Sequence, residues 1–123
     1  MAWDTTSFGA FIRRRRELLS DGPEGRRYSV RQVAGRVGFQ PAYLSKIERD
    51  LEAPPSEAKI VRLAEELGIP PDALLAMAGK VSSDLREAIC RRPKLFADLI
   101  RAVRDLPDEA VLRLVREVRD GDW

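Results

Sequence analysis

The tightest constraint on the fold lies in residues 29–50, SVRQVAGRVGFQPAYLSKIERD. Apolar residues recur there at helical spacing in two short runs: Val30, Val33, Ala34 and Val37, then Leu44 and Ile47. Gly38 follows the first run, where a left-handed backbone is needed to end a helix. Ser29 is placed to cap that run. Pro41 fits the first turn of the second run, where its missing N–H would have had no partner. Ala34 falls at the close contact between the two, and a small residue there lets two short helices cross steeply.

The remaining chain has helical spacing nearly throughout, with no strand-type alternation, internal repeat or low-complexity tract. Phe8, Phe11, Ile12 and Leu19 form one stripe, so residues 7–19 read as a first helix. Residues 20–25, with two glycines and a proline, read as a loop. The second of the two runs extends to about Arg49, and residues 50–55 form a turn with two prolines. Ser56 caps a fourth helix that buries Ile60, Leu63, Ala64 and Leu67 and closes at Gly68. Pro70 and Pro71 open a fifth helix holding Leu74, Leu75 and Met77. Residues 79–83 form a short linker, followed by three short helical segments over 84–91, 93–105 and 108–119. The expected fold is all-α: a five-helix domain over 1–79, then a small C-terminal helical region over 80–123.

Composition narrows the function. With 123 residues, the chain is one ordinary domain, or a small domain with an appendage. No apolar run spans a bilayer, and the first twenty residues hold four consecutive arginines rather than a signal-peptide core. A cytoplasmic protein with no membrane partner is expected. One cysteine, Cys90, rules out an intramolecular disulfide framework. Histidine is absent, which removes imidazole acid–base chemistry and the commonest zinc and iron sites. There is no glycine-rich phosphate loop, and Glu65 and Glu66 diverge on their helix, so no catalytic residue, metal or cofactor is expected. The net charge is +2, unevenly spread. Residues 1–49 carry a net +5, residues 50–79 a net −4 and residues 80–123 a net +1. A basic front half gives the molecule one face suited to a polyanion, although solvated helix faces give the same count.

In the 29–50 unit the second helix directs Gln40, Ala42, Tyr43, Lys46 and Arg49 away from Leu44 and Ile47. A helix so placed can lie in the DNA major groove with its N-terminal residues at base edges. Here the chain resembles the Cro/CI-type (XRE) helix-turn-helix regulators over residues 8–78. The match rests on Gly9, Ile12 and Arg16, on Ala34 and Gly38, on Tyr43-Leu44-Ser45-Lys46-Ile47-Glu48-Arg49, on Pro55-Ser56 and on Leu63-Ala64-Glu65-Glu66-Leu67-Gly68-Ile69. Tyr43 to Leu51 is especially similar to the SinR-type repressors of that family.

The resemblance implies base reading by Gln40, Pro41, Ala42, Tyr43 and Lys46, and phosphate contacts from Ser29, Arg31, Ser45 and Arg49. It places Arg16 and Glu48 on the family's paired Arg and Glu, a clamp between the first helix and the recognition helix. Three departures stand out. Val30 occupies a position where a phosphate-holding Gln is common. Pro41 and Ala42 stand where hydrogen-bonding side chains are common. Asp50 replaces a glycine and must tolerate a left-handed backbone. Arg26 and Arg27, in a lengthened loop, are backbone-contact candidates or merely solvated. Only one or two of Arg13 to Arg16 can meet DNA together, and the others are read as solvated charge.

Residues 84–123 are apolar on one side of each segment yet too few for an independent core. They either pack within the chain or meet a second copy. Leu95, Leu99, Ile100, Val103, Val111, Leu114, Val115 and Val118 are the dimer-interface candidates. Cys90 is expected to be a small buried hydrophobe, the alternative being a reactive thiol. Trp3 and Trp123 are docked anchors or frayed ends. The function expected is a sequence-specific double-stranded DNA-binding transcriptional regulator, a homodimeric (auto)repressor on an inverted-repeat operator and nucleoid-associated when bound. The alternative is an antitoxin-like or protease- or antirepressor-controlled module whose C-terminal helices bind a partner protein.

Overall fold

A computed structural model of the chain describes residues 7–123; Trp3 lies outside them. Eight α-helices and no strand occur among the described residues. They are α1 (Phe8–Ser20), α2 (Val30–Val37), α3 (Pro41–Glu48), α4 (Glu57–Leu67), α5 (Pro71–Met77), α6 (Ser83–Arg91), α7 (Pro93–Val103) and α8 (Asp108–Asp120). The chain divides into two compact units at Ser82/Ser83, with α1 to α5 in the first and α6 to α8 in the second. No helix among the described residues is long and apolar enough to cross a membrane.

Local chemistry fixes the helix ends in the first unit. Ser7, Ser29 and Ser56 each accept a backbone N–H from three residues on, satisfying donors that have no partner within the helix. Gly38 at φ +90° and Gly68 at φ +66° close α2 and α4. The N–H groups of Phe39 and Ile69 then return to the carbonyls of Ala34 and Ala64 at 2.8 and 2.9 Å, the 6→1 bond of a left-handed helix stop.

Long cationic side chains finish other exposed carbonyls. Lys59 Nζ donates to Val37 O at 2.9 Å, Arg15 Nε to Leu67 O at 2.7 Å and Lys80 Nζ to Pro55 O at 2.9 Å. Arg15 is therefore tied to the end of α4, whereas its place in the arginine run suggests only a solvated charge. The loop after α1 also differs from the expectation of a plain loop. It folds into a 3-10 turn, Gly25–Tyr28, seated so closely on the end of α1 that a Cβ on Gly25 would lie 2.1 Å from Ser20 O.

The core of this unit is one cluster drawn from α1 to α5 and the turn after α4. Ile12, Val33, Ala34, Val37, Leu44, Ile60, Leu63, Ala64, Leu67, Leu74 and Leu75 are fully enclosed. The second unit is built differently, because none of its residues is buried. Its apolar residues separate into two groups. Phe96, Val103, Val111 and Leu114 are half-buried, whereas Leu95, Leu99, Ile100, Leu112, Val115 and Val118 are exposed. Cys90 is exposed, which corrects the expectation of a buried hydrophobe. On α6 it follows half-buried Ile89 by one position, and a step of about 100° turns it to solvent. Trp123 is also exposed, with its indole N–H donating to Val118 O at 2.6 Å beyond the end of α8.

Candidate nucleic-acid interface

Two elements hold α3. α2 precedes it across the Gly38 turn and packs against it, and α1 packs on its other side. Leu44 and Ile47 enter the core and leave the opposite side of the helix outward. Gln40, Pro41, Ala42, Lys46 and Arg49 are exposed, while Tyr43 and Ser45 are half-buried. Ala42, Lys46 and Arg49 follow one another at i, i+4 and i+7, so they share one stripe of the helix. Of the five expected base-reading residues, Gln40 is the N-cap of α3, Pro41, Ala42 and half-buried Tyr43 form its first turn, and Lys46 lies on its outer side in the last turn.

The clamp between α1 and α3 is a two-pronged ion pair. Arg16 Nε and Nη2 donate to the two Glu48 carboxylate oxygens at 2.7 and 2.8 Å, and Nη1 reaches Tyr28 O at 3.2 Å. Both side chains are largely enclosed, at 11% and 4% exposure. The bonds to Glu48 raise the Arg16 pKa above the ordinary arginine value, outweighing burial, which acts the other way. The Arg16 guanidinium therefore stays charged throughout the ordinary pH range. The stability linked to this Arg16 shift is present below the arginine range and is lost as pH rises through it.

A second tie runs through Asp50. Its backbone takes the left-handed conformation, φ +58°, and the Leu51 N–H returns to Lys46 O at 2.8 Å. Its carboxylate then crosses to the start of α1, accepting from the Ser7 hydroxyl at 2.7 Å and from the Gly9 N–H at 3.1 Å. A glycine at position 50 would satisfy the backbone but not this cap, which accounts for the departure from the family's pattern. Asp50→Ala is expected to destabilise the first unit by about 2 kcal/mol, from the lost cap, since alanine keeps the left-handed Cβ that Asp50 already carries and glycine removes it. Asp50→Gly should cost about half of that. Urea unfolding of the two variants checks the order, and equal losses would assign the whole effect to the cap.

Beside α3, a shallow groove is lined by Arg13, Arg16, Val30, Ser45, Glu48 and Arg49. Glu48 is committed to Arg16, so the exposed cations at its rim are Arg49 and Arg13, the latter paired with Glu17 at 2.8 Å. Ser29 and Arg31 stand at the N-terminus of α2, next to Val30, and are exposed. The structure therefore brings Ser45 and Arg49 to the groove at Val30, adjacent to Ser29 and Arg31. Arg13, not singled out by sequence, joins them. The signal for it was its i, i+3 relation to Arg16. Arg26 and Arg27 are exposed on the 3-10 turn, and Arg27 lies 3.8 Å from Glu24. Among the described residues, no group of three His, Cys, Asp or Glu side chains is placed to hold a metal ion.

A short helix, a left-handed glycine turn and a second short helix with an outward polar face are the parts of a DNA-reading unit. A family model described as a helix-turn-helix domain matches residues 7–77. The chain belongs to this helix-turn-helix family, of the XRE/Cro kind. The match begins at the cap of α1 and ends with α5, so it spans the elements that hold α3. Comparison with curated proteins and with solved structures found no match. A helix-turn-helix domain has double-stranded DNA as its partner, with the second helix of the pair in the major groove. In this helix-turn-helix chain that helix is α3.

Proposed function

We propose that the chain is a sequence-specific transcriptional regulator, a homodimeric (auto)repressor that occupies an inverted-repeat operator and excludes RNA polymerase. The observation that carries this reading is the exposed α3 face, Gln40 to Lys46, held on a rigid core beside the cationic groove. In this reading Gln40 pairs with adenine and Lys46 reaches guanine acceptors. Ser29, Arg31, Ser45 and Arg49 hold phosphates and fix the register. The protein works in the cytoplasm and is nucleoid-associated when bound. Arg16 and Glu48 serve this function from behind, by fixing the angle of α3 on α1.

Selection of sites from random duplex DNA, followed by salt titration on the selected site, tests the reading. An inverted repeat with half-site centres about 34–36 Å apart is expected. Lys46→Ala should change sequence preference, with a loss of about 1–3 kcal/mol on the selected site. Arg49→Ala should weaken binding evenly across sequences and lower the salt slope by about one. Unchanged preference in both variants would sink the role assignment.

The exposed faces of α7 and α8 support a dimer. Residues 83–123 hold nine basic and nine acidic residues, so this region has no net charge to oppose a second copy of itself. Leu95, Leu99, Ile100, Val115 and Val118 are the residues left for a partner; Val103, Val111 and Leu114 are half-buried already. Leu99→Asp with Val115→Asp is expected to yield a monomer by sedimentation equilibrium. Affinity for the two-half-site operator should then fall about 100-fold, the loss of linked binding. The same apolar faces favour one other reading, in which they hold a toxin, a protease or an antirepressor. A wild-type chain that sediments as a monomer would move the weight there.

A further inference from the structure

The first turn of α3 is apolar at the place where a groove-reading helix meets base edges. Pro41 and Ala42 are both exposed, and neither side chain donates or accepts a hydrogen bond. Pro41 also lacks a backbone N–H. Tyr43 comes next, and its ring is held. It meets Phe39 edge-on, with centroids 5.0 Å apart and planes at 79°. Phe39 in turn has the Lys59 ammonium 5.8 Å from its centroid, and that ammonium is tied to Val37 O. The turn therefore offers a fixed apolar surface of one pyrrolidine ring, one methyl group and one aromatic ring. The one hydrogen-bonding side-chain group within it is the Tyr43 hydroxyl, and the other polar readers stand at its borders. Gln40 makes no cap bond with its side chain, and Lys46 lies one helical turn beyond Ala42.

In the major groove one base-edge feature is apolar, the 5-methyl group of thymine. We propose that the chain recognises its half-site chiefly through thymine methyl groups seated against Pro41, Ala42 and the Tyr43 ring, with Gln40 and Lys46 reading the flanking purines. This rests on the proposed DNA-binding function and names the chemistry by which that site selects its ligand. Specificity then comes from burial of methyl groups rather than from a row of hydrogen bonds. It can be removed from the DNA one methyl at a time without touching any donor or acceptor.

The experiment uses the full chain and its selected duplex, with each thymine of a half-site replaced singly by deoxyuridine. Competition binding is expected to show a loss of about three- to five-fold at one or two thymines per half-site and none elsewhere. The loss should shrink in Ala42→Gly and in Ala42→Ser, which leave Leu44 and Ile47 in the core. A selected half-site without thymine, a uridine series that is neutral throughout, or a loss unchanged in both variants overturns the inference while sequence-specific binding stands. Binding without any sequence preference overturns the proposed function itself, and the inference with it.

Discussion

Glu48→Ala is expected to destabilise the first unit by about 3–5 kcal/mol, the cost of leaving a buried guanidinium without its partner. Arg16 would retain only the Tyr28 carbonyl at 3.2 Å, with its charge still largely enclosed. Arg16→Ala strands the Glu48 carboxylate, at 4% exposure, and should cost about as much. The double variant should lose much less than the sum, because no uncompensated charge remains. Replacing the pair by Met at 16 and Leu at 48 is expected to fall near the wild type. Urea unfolding followed by amide exchange in α1 and α3 measures all four. A Glu48→Ala loss below about 1 kcal/mol would show that the pair behaves as a surface ion pair. The apolar pair also separates stability from function. If it keeps stability but shifts sequence preference, the fork's role is the orientation of α3.

The helix-turn-helix unit was legible because its signals are local. A serine three residues ahead of the N–H it accepts, a glycine just past an apolar run and a proline in a first turn act within a few residues of themselves. Ser29, Gly38, Pro41, Ser56 and Gly68 all do what such signals predict. The exposed side of α3 followed from the same spacing, since burying Leu44 and Ile47 leaves Ala42, Lys46 and Arg49 outward. Long-range polar ties were not legible. Lys59 and Val37 are 22 residues apart, Arg15 and Leu67 52, and Asp50 and Gly9 41. Nothing in a lysine or arginine distinguishes one that will close a distant carbonyl from one that stays in water. The Arg16–Glu48 pair is equally distant and was found by family resemblance, not by periodicity. Cys90 is expected inside because Leu85, Ile89 and Pro93 lie on or near its side, but Leu85 and Pro93 are themselves exposed and Ile89 is only half-buried, in a segment with no buried residue.

Gly9→Ala and Gly35→Ala are the same substitution in two helices, and they are expected to act in opposite directions. Helix propensity alone favours alanine at both by about 1 kcal/mol. Gly35 lies in α2, exposed, and a Cβ there meets nothing within 4 Å. Propensity should therefore win, with a gain of about 0.5–1 kcal/mol. Gly9 lies where α1 crosses the end of α3. A Cβ there would stand 2.1 Å from Ile47 O, 2.6 Å from Asp50 Oδ1 and 3.0 Å from the Glu48 carbonyl carbon. Two of these are backbone atoms, anchored by the ladder and stop of α3, so no side chain can turn aside to make room. The helices must separate. That opens the core contact of Phe8, Ile12 and Ile47 and strains the Asp50 bonds to Ser7 and Gly9. Overpacking of this kind should outweigh propensity and leave a net loss of about 3 kcal/mol. In thermal unfolding of a unit this size, that corresponds to a fall of roughly 12–24 °C. Because α3 rests on the displaced helix, the alanine at 9 should also weaken operator binding at temperatures where the variant remains folded. A Gly9→Ala variant as stable as Gly35→Ala would mean that α1 and α3 are not in contact at this point, and the rigid seating of the recognition helix would have to be sought elsewhere.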